Sequence, residues 1–232
     1  MSSSSITVPA TSRAAADDPG RTTKRLTSAA GVALLGGAAL FFAGMLTSPA
    51  QASDAKVDYL ASLARDPLLS QVSAVLLHYG NLAMGVGVLA LPLLVRGRRG
   101  ALLAFVGAVA TGLALLNTSG ALVSDWFHLE IGARLPGAAG AALSDAVLAH
   151  PLFDVAFRPG PLTLVASLVL FAGLARAGVV GWWSLAGIVL GTAGLMFLPY
   201  SLPVLPAVGV LPMLATFAFA GLRTVRRARL GG

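Results

Sequence analysis

The chain has 232 residues, of which 56% are hydrophobic and only 11% charged, at a mean hydropathy of +0.84. Soluble domains average about 25% charged residues, so the charges are too few to cover a water-facing surface, and lipid is the expected solvent for much of the chain. The net charge of +7 comes from Arg clusters at the ends of apolar runs rather than from a basic groove interleaved with aromatics, which excludes nucleic-acid binding, and the absence of cysteine excludes disulfides, thiolate nucleophiles and cysteine metal sites.

Residues 1–25 are polar, rich in Ser, Thr and Ala, and lack an apolar period; they are expected to form a disordered cytoplasmic tail. The first membrane helix is expected over 26–47, an uncharged apolar run about as long as the roughly 20 residues a bilayer core requires. Lys24-Arg25, this run and Ala50-Gln51-Ala52 also have the layout of a signal sequence cleaved after Ala52, which would leave five spans and an outside N-terminus. The run exceeds the usual signal core of about 7–15 residues, so the uncleaved reading is preferred and the other stays open. Over 53–66 the residues Val57, Leu60, Ala61, Ala64 and Leu68 recur at helical spacing among charged neighbours, predicting an amphipathic helix on the membrane surface.

Asp66-Pro67 has the form of a helix cap followed by a first-turn proline, and opens a second span expected over 67–95. That is longer than a crossing needs, so it is expected to tilt or protrude. The basic turn Arg96-Gly97-Arg98-Arg99-Gly100 leads to a third span over 101–123. The longest polar stretch, 124–159, holds Asp125, His128, Glu130, Arg134, Asp145, His150, Asp154 and Arg158. Further spans are expected over 160–175, over 179–198 with Trp182-Trp183 at an interface, and over 204–222 with a kink at Pro212, followed by a basic cytoplasmic tail, 223–232. The expected fold class is therefore all-α, a polytopic bundle of six transmembrane helices over 26–222 with short amphipathic surface helices in the outer loops.

Charge sets the orientation. With the N-terminus inside, twelve of the sixteen Lys and Arg are cytoplasmic (Arg13, Arg21, Lys24, Arg25, Arg96, Arg98, Arg99, Arg176, Arg223, Arg226, Arg227 and Arg229), and Lys56, Arg65, Arg134 and Arg158 are outside. This is the bias of a plasma-membrane protein with both termini in the cytoplasm. Ser53-Asp54-Ala55, Leu63-Ala64 and Pro67-Leu68-Leu69 recur as Ser144-Asp145-Ala146, Leu148-Ala149 and Pro151-Leu152-Phe153. Duplication of a helix, surface helix, helix unit and chance in an Ala- and Leu-rich chain account for this equally well.

No motif fixes a reaction. No Asp, Glu, Lys or Arg falls in the middle of an expected span, which argues against a proton-coupled pump or an ion channel. Histidine and carboxylate residues on the outer side could ligate a metal or a haem, but no ligand spacing supports this, and no cofactor is implied. Ser124 and His128, at i and i+4, are a conceivable nucleophile–base pair, without a supporting motif. Two polar patches, His78 with Asn81 and Asn117-Thr118-Ser119, lie towards the outer ends of their helices and are expected to meet through interhelical hydrogen bonds. Where they form a pocket open to the outer face, His78, Asn81, Asn117, Asp125 and His128 are its expected lining. The small-residue pairs Ala33/Gly37, Ala83/Gly87 and Gly187/Gly191 are expected to pack helices within one bundle rather than to mark a dimer seam.

The run Asp66-Pro67-Leu68-Leu69, a helix, Arg96-Gly97-Arg98-Arg99-Gly100 and a second Gly/Ala-rich helix resembles small, largely uncharacterised multi-pass membrane proteins of actinobacteria. The likeness covers the first four spans, rests on composition and topology, and transfers no active-site residue. The expected function is that of a non-enzymatic accessory subunit or an outer-leaflet binder of a lipid or small apolar ligand. The alternatives are a transporter subunit for a neutral or hydrophobic solute and a metal- or haem-dependent membrane enzyme. The bilayer is the expected partner, with a second membrane protein as a further one.

Overall fold

The computed structural model describes residues 19–151 and 160–230, with side chains over 22–151 and 162–230. It is all-α, with no strand among the described residues. The helices are α1 (Pro19–Leu46), α2 (Lys56–Arg65), α3 (Pro67–Val88), α4 (Ala101–Leu122), α5 (Ser124–Arg134), α6 (Ala138–Leu148), α7 (Gly160–Arg176), α8 (Trp183–Phe197), α9 (Val204–Gly209) and α10 (Leu211–Leu230), with a 3-10 turn at Leu91–Leu94. Two stretches are long and apolar enough to cross a membrane: Thr22–Leu46, and Ala101–Arg134, in which α4 runs on into α5.

Six helices close a ring. α1 packs on α3, α3 on α4, α4 on α7, α7 on α8, α8 on α10, and α10 returns to α1. Successive members of the ring run in opposite directions. At one end sits a cap of α2, α5 and α6; the opposite end is basic. Phe171 of α7 and Phe217 of α10 meet edge to face across the middle, 5.3 Å between ring centroids.

The ring is tight because its crossings are glycine. A Cβ on Gly37 would lie 2.8 Å from the Gly80 carbonyl oxygen, one on Gly31 2.7 Å from that of Gly221, and one on Gly107 2.2 Å from the Leu170 backbone nitrogen. Gly87 and Gly191 are closed in likewise, by Leu34 and by Met213. The small-residue pairs read from the sequence thus face neighbours within this chain, letting backbones approach closely.

Large side chains face the other way. On α4, Leu102, Phe105, Val109 and Leu113 point outward, while Ala104, Gly107, Ala108 and Thr111 point into the ring. Leu162 and Val165 on α7, Leu190 and Phe197 on α8 and Val86 on α3 are likewise exposed. A water-soluble monomer rarely leaves apolar patches above a few hundred Å² uncovered.

Several boundaries differ from those expected. α1 begins at Pro19, so residues 19–25 are helical rather than tail; residues 1–18 lie outside the described residues. The second long helix stops at Val88 rather than 95, because Pro92 has no N–H to give to the Val88 carbonyl and turns the chain into the 3-10 segment. The fifth starts at Trp183 rather than 179. α7 is closed by Gly178 at φ +72, with the Val179 N–H donating to the Leu174 carbonyl, so the chain must turn before it can restart. The kink expected at Pro212 is a break between α9 and α10, and the basic tail continues α10 as helix to Leu230. Asp66 caps α3 as expected, accepting from the Leu69 N–H at 3.0 Å.

The surface helix needs the largest correction. α2 lies against α5 and α6, and the face it packs with is not the expected apolar stripe. Its buried side is Leu60, Ser62 and Leu63, and Val57 and Leu68 of the expected apolar stripe are exposed. Leu60 carries the contact: its carbonyl sits where a Cβ on Gly132 of α5 would come within 2.3 Å.

Candidate functional site at the capped end

A cavity of about 340 Å³ opens at the capped end. Its apolar wall is built from Phe41 and Met45 of α1, Leu77 of α3, Leu122 of α4 and Leu195 of α8. Polar groups enter from above, mainly Tyr59 and Ser62 of α2, Asp125 of α5 and Tyr200.

Most hydroxyls here are already committed. Ser73 donates to the Gly44 carbonyl and shares a 2.9 Å bond with Ser48, and Ser70 reaches the Leu63 and Asp66 carbonyls. Tyr200 donates to the Leu195 carbonyl. These bonds fasten α1, α2 and α3 to one another, and among the lining groups with capacity to spare are Asn81 and Asp125. Asn81, 1% exposed, gives one amide hydrogen to the Leu77 carbonyl, and its side-chain oxygen has no partner among the described residues. Asp125 receives the Tyr59 hydroxyl at 2.5 Å through Oδ1, and Oδ2 accepts no further bond among the described residues.

Asp125 lies in the first turn of α5, just beyond α4, and no described cation pairs with it. Burial raises its carboxyl above the ordinary carboxylate value, and the Tyr59 hydrogen bond offsets part of that rise. Burial, with the negative charge of Asp125 and their shared hydrogen bond, pushes the Tyr59 phenol well above its usual value, so Tyr59 stays a donor. His128 packs edge to face on Tyr59, 5.5 Å between centroids, and its Nε2 shares a 3.1 Å bond with Ser144 of α6. Its Nδ1 is buried without a partner among the described residues. Burial, and then the charge of Lys56, lower its pKa and favour the neutral ring. Lys56 lies 3.8 Å from Asp145, tying α2 to α6.

Asp125 and His128 respond to acid with opposite signs. The folded chain holds a proton on Asp125 more readily than the unfolded chain, so this group costs stability as pH rises through its raised value and gives it back below. The unfolded chain protonates His128 first, so stability falls as pH drops below its ordinary 6.5. Thermal unfolding followed from neutral to about pH 4.5 should therefore show a steeper acid loss in Asp125→Asn than in the parent. His128→Gln should lose less on acidification than the parent. Identical pH profiles in all three proteins would contradict this assignment.

Of the five residues expected to line an outer pocket, Asn81 and Asp125 line this cavity. His128 stands behind Asp125, against Tyr59. His78 does not line it; its Nδ1 lies 2.9 Å from both the carbonyl and the hydroxyl of Ser119, and that hydroxyl donates to the His78 carbonyl. This reciprocal clasp joins the two polar patches. Asn117 is half-buried and outside the cavity, where Thr118 takes its place. Ser124 donates to the Ala121 carbonyl rather than to His128, so no nucleophile–base pair forms. His150 is exposed, Asp154 lies outside the described residues, and no metal-sized group of His, Asp or Glu occurs among the described residues.

The sequence reading missed Tyr59. Its signal was present: Tyr59, Leu60 and Leu63 also recur at helical spacing, a second stripe that shares Leu60 with the one first read.

Comparison with protein-family models, with curated proteins and with solved structures finds no match for this chain.

Proposed function

We propose that this is a six-span plasma-membrane protein with its basic end in the cytoplasm, and that its outward-facing cavity binds a small amphiphile. The ligand has an apolar body and a hydrogen-bond-donating head, an amine or an alcohol. The membrane reading is supported by the antiparallel ring, by its outward Leu, Val and Phe, and by the concentration of Arg at one end. Here α4 is the crossing segment, and α5, with Asp125, Glu130 and Arg134, lies beyond it on the outer side. One observation carries the ligand reading: a half-buried carboxylate facing an apolar cavity, with an oxygen unspent and no described cation paired with it. Ligand sites are typically apolar hollows with a few convergent polar groups. Leu34, Met84, Phe171 and Phe217 are fully buried between the two ends, which favours a binder over a conduit.

The test takes the full chain in mild detergent and titrates decylamine, decanol and decane, with bound ligand read by native mass spectrometry. The amine and alcohol should bind ahead of decane, and Asp125→Asn should weaken the amine about tenfold or more, since a hydrogen bond to a charged group contributes roughly 1.5–3 kcal/mol. Equal binding of all three, unchanged in the variant, would refute the ligand reading. Reporters fused at Arg98 and Ala139 should be cytoplasmic and extracytoplasmic respectively, and the reverse would refute the topology.

A further inference from the structure

The larger hollow is at the other end. A cavity of about 780 Å³ opens among the start of α1, the 3-10 turn, the α7–α8 turn and the end of α10. Lys24, Arg96, Arg223, Arg226 and Arg227 line it, contributed by three separate segments. Among the described residues no carboxylate lines it, and every described acidic residue (Asp54, Asp58, Asp66, Asp125, Glu130 and Asp145) is at the capped end. Neither of the ion pairs among the described residues involves these five cations.

A topogenic signal needs only that positive charge stay on one side of the membrane. It does not require the charges to converge on a concavity or to be held there. Here two of them are held: the Arg227 guanidinium donates to the Leu94 carbonyl, and Arg223 stacks over the Phe219 ring, 5.2 Å from its centroid. Five like charges around one hollow repel one another unless an anion sits among them. The rim is apolar, with Leu93 and Leu230 both exposed, 55% and 85%.

We propose that this cavity is a binding site for a phosphate-bearing anion, with the phosphate among Lys24, Arg96, Arg226 and the two held arginines. The apolar rim favours the headgroup of an anionic phospholipid of the inner leaflet over free phosphate. Basic pockets between helices on the cytoplasmic side are suited to such headgroups, and planar guanidinium groups match phosphate oxygens in pairs. The lipid source rests on the membrane reading above; the phosphate chemistry does not.

The experiment titrates the full-length, detergent-purified chain with short-chain phosphatidylglycerol, short-chain phosphatidylcholine and inorganic phosphate, reading bound ligand per chain. Two variants lose equal charge from the same end. Arg96→Gln/Arg226→Gln empties the cavity wall at exposed positions without a described partner. Arg98→Gln/Arg99→Gln removes charge from the adjacent turn outside the cavity. Phosphatidylglycerol should bind ahead of phosphatidylcholine, and the cavity variant should weaken it roughly 30-fold against less than about threefold for the turn variant. Inorganic phosphate binding with the same variant pattern, while phosphatidylglycerol shows no advantage over it, would assign the site to free phosphate and overturn the lipid source. Equal losses in both variants, or no preference for phosphatidylglycerol or phosphate over phosphatidylcholine, would overturn the site. A chain that stays monodisperse without detergent would defeat the membrane reading and leave the phosphate titration to decide the site alone.

Discussion

Gly107→Leu should leave almost no folded protein in detergent extracts, whereas Gly36→Leu should leave the yield unchanged. The two substitutions are chemically identical. At Gly107 a Cβ alone would lie 2.2 Å from the Leu170 backbone nitrogen and 2.4 Å from its Cα, so α4 and α7 must separate. Backbone cannot rotate away as a side chain can, and the cost should exceed the ~1–3 kcal/mol usual for overpacking. At Gly36 a Cβ meets nothing within 4 Å, and the leucine projects from the outer surface of α1. Unfolding monitored by size-exclusion and circular dichroism decides the matter; equal behaviour of the two variants would contradict the described crossing.

Gly132→Leu is expected to act on the cap and spare the ring. A Cβ there strikes the Leu60 carbonyl at 2.3 Å, so α2 must lift from α5 and carry Tyr59 away from Asp125. Amide hydrogen exchange over 56–65 should lose its protection, while α1, α3, α4 and α10 keep theirs. Binding at the capped cavity should fall with it, because α2 supplies Tyr59, Ser62 and Leu63 to its wall. Unchanged protection over 56–65 would refute the docking of α2.

Much of the helical content could be read from periodicity and hydropathy alone, since long apolar runs and the Asp66-Pro67 cap are local signals. What escaped depended on partners distant in sequence. The early end at Val88 is the exception, a local signal masked by an unbroken apolar run: Pro92, three residues before Val95, lacks the N–H that would bond the Val88 carbonyl. Nothing in 53–68 chooses between two overlapping stripes; Gly132, far along the chain, chooses the one containing Leu60 and Leu63. The candidate site was half legible for the same reason. Asn81 was conspicuous as a polar residue within an apolar helix and Asp125 as an acid just beyond one, whereas Tyr59 was hidden inside an amphipathic pattern already given another face. Asn117 and Thr118 are adjacent and both polar, and only the rotation of α4 brings Thr118, and not Asn117, to the cavity.

The contact that closes the ring joins Gly31 to Gly221, almost the full length of the chain apart. During synthesis α1 emerges early and can pair with α3 at once, yet the main partner of its other flank, α10, is made last. Until then that flank, cut to fit a backbone through Gly31, is left without its partner. Assembly is therefore last-step cooperative: an intermediate halted at Val210 holds an open arc, and only the docking of α10 closes it.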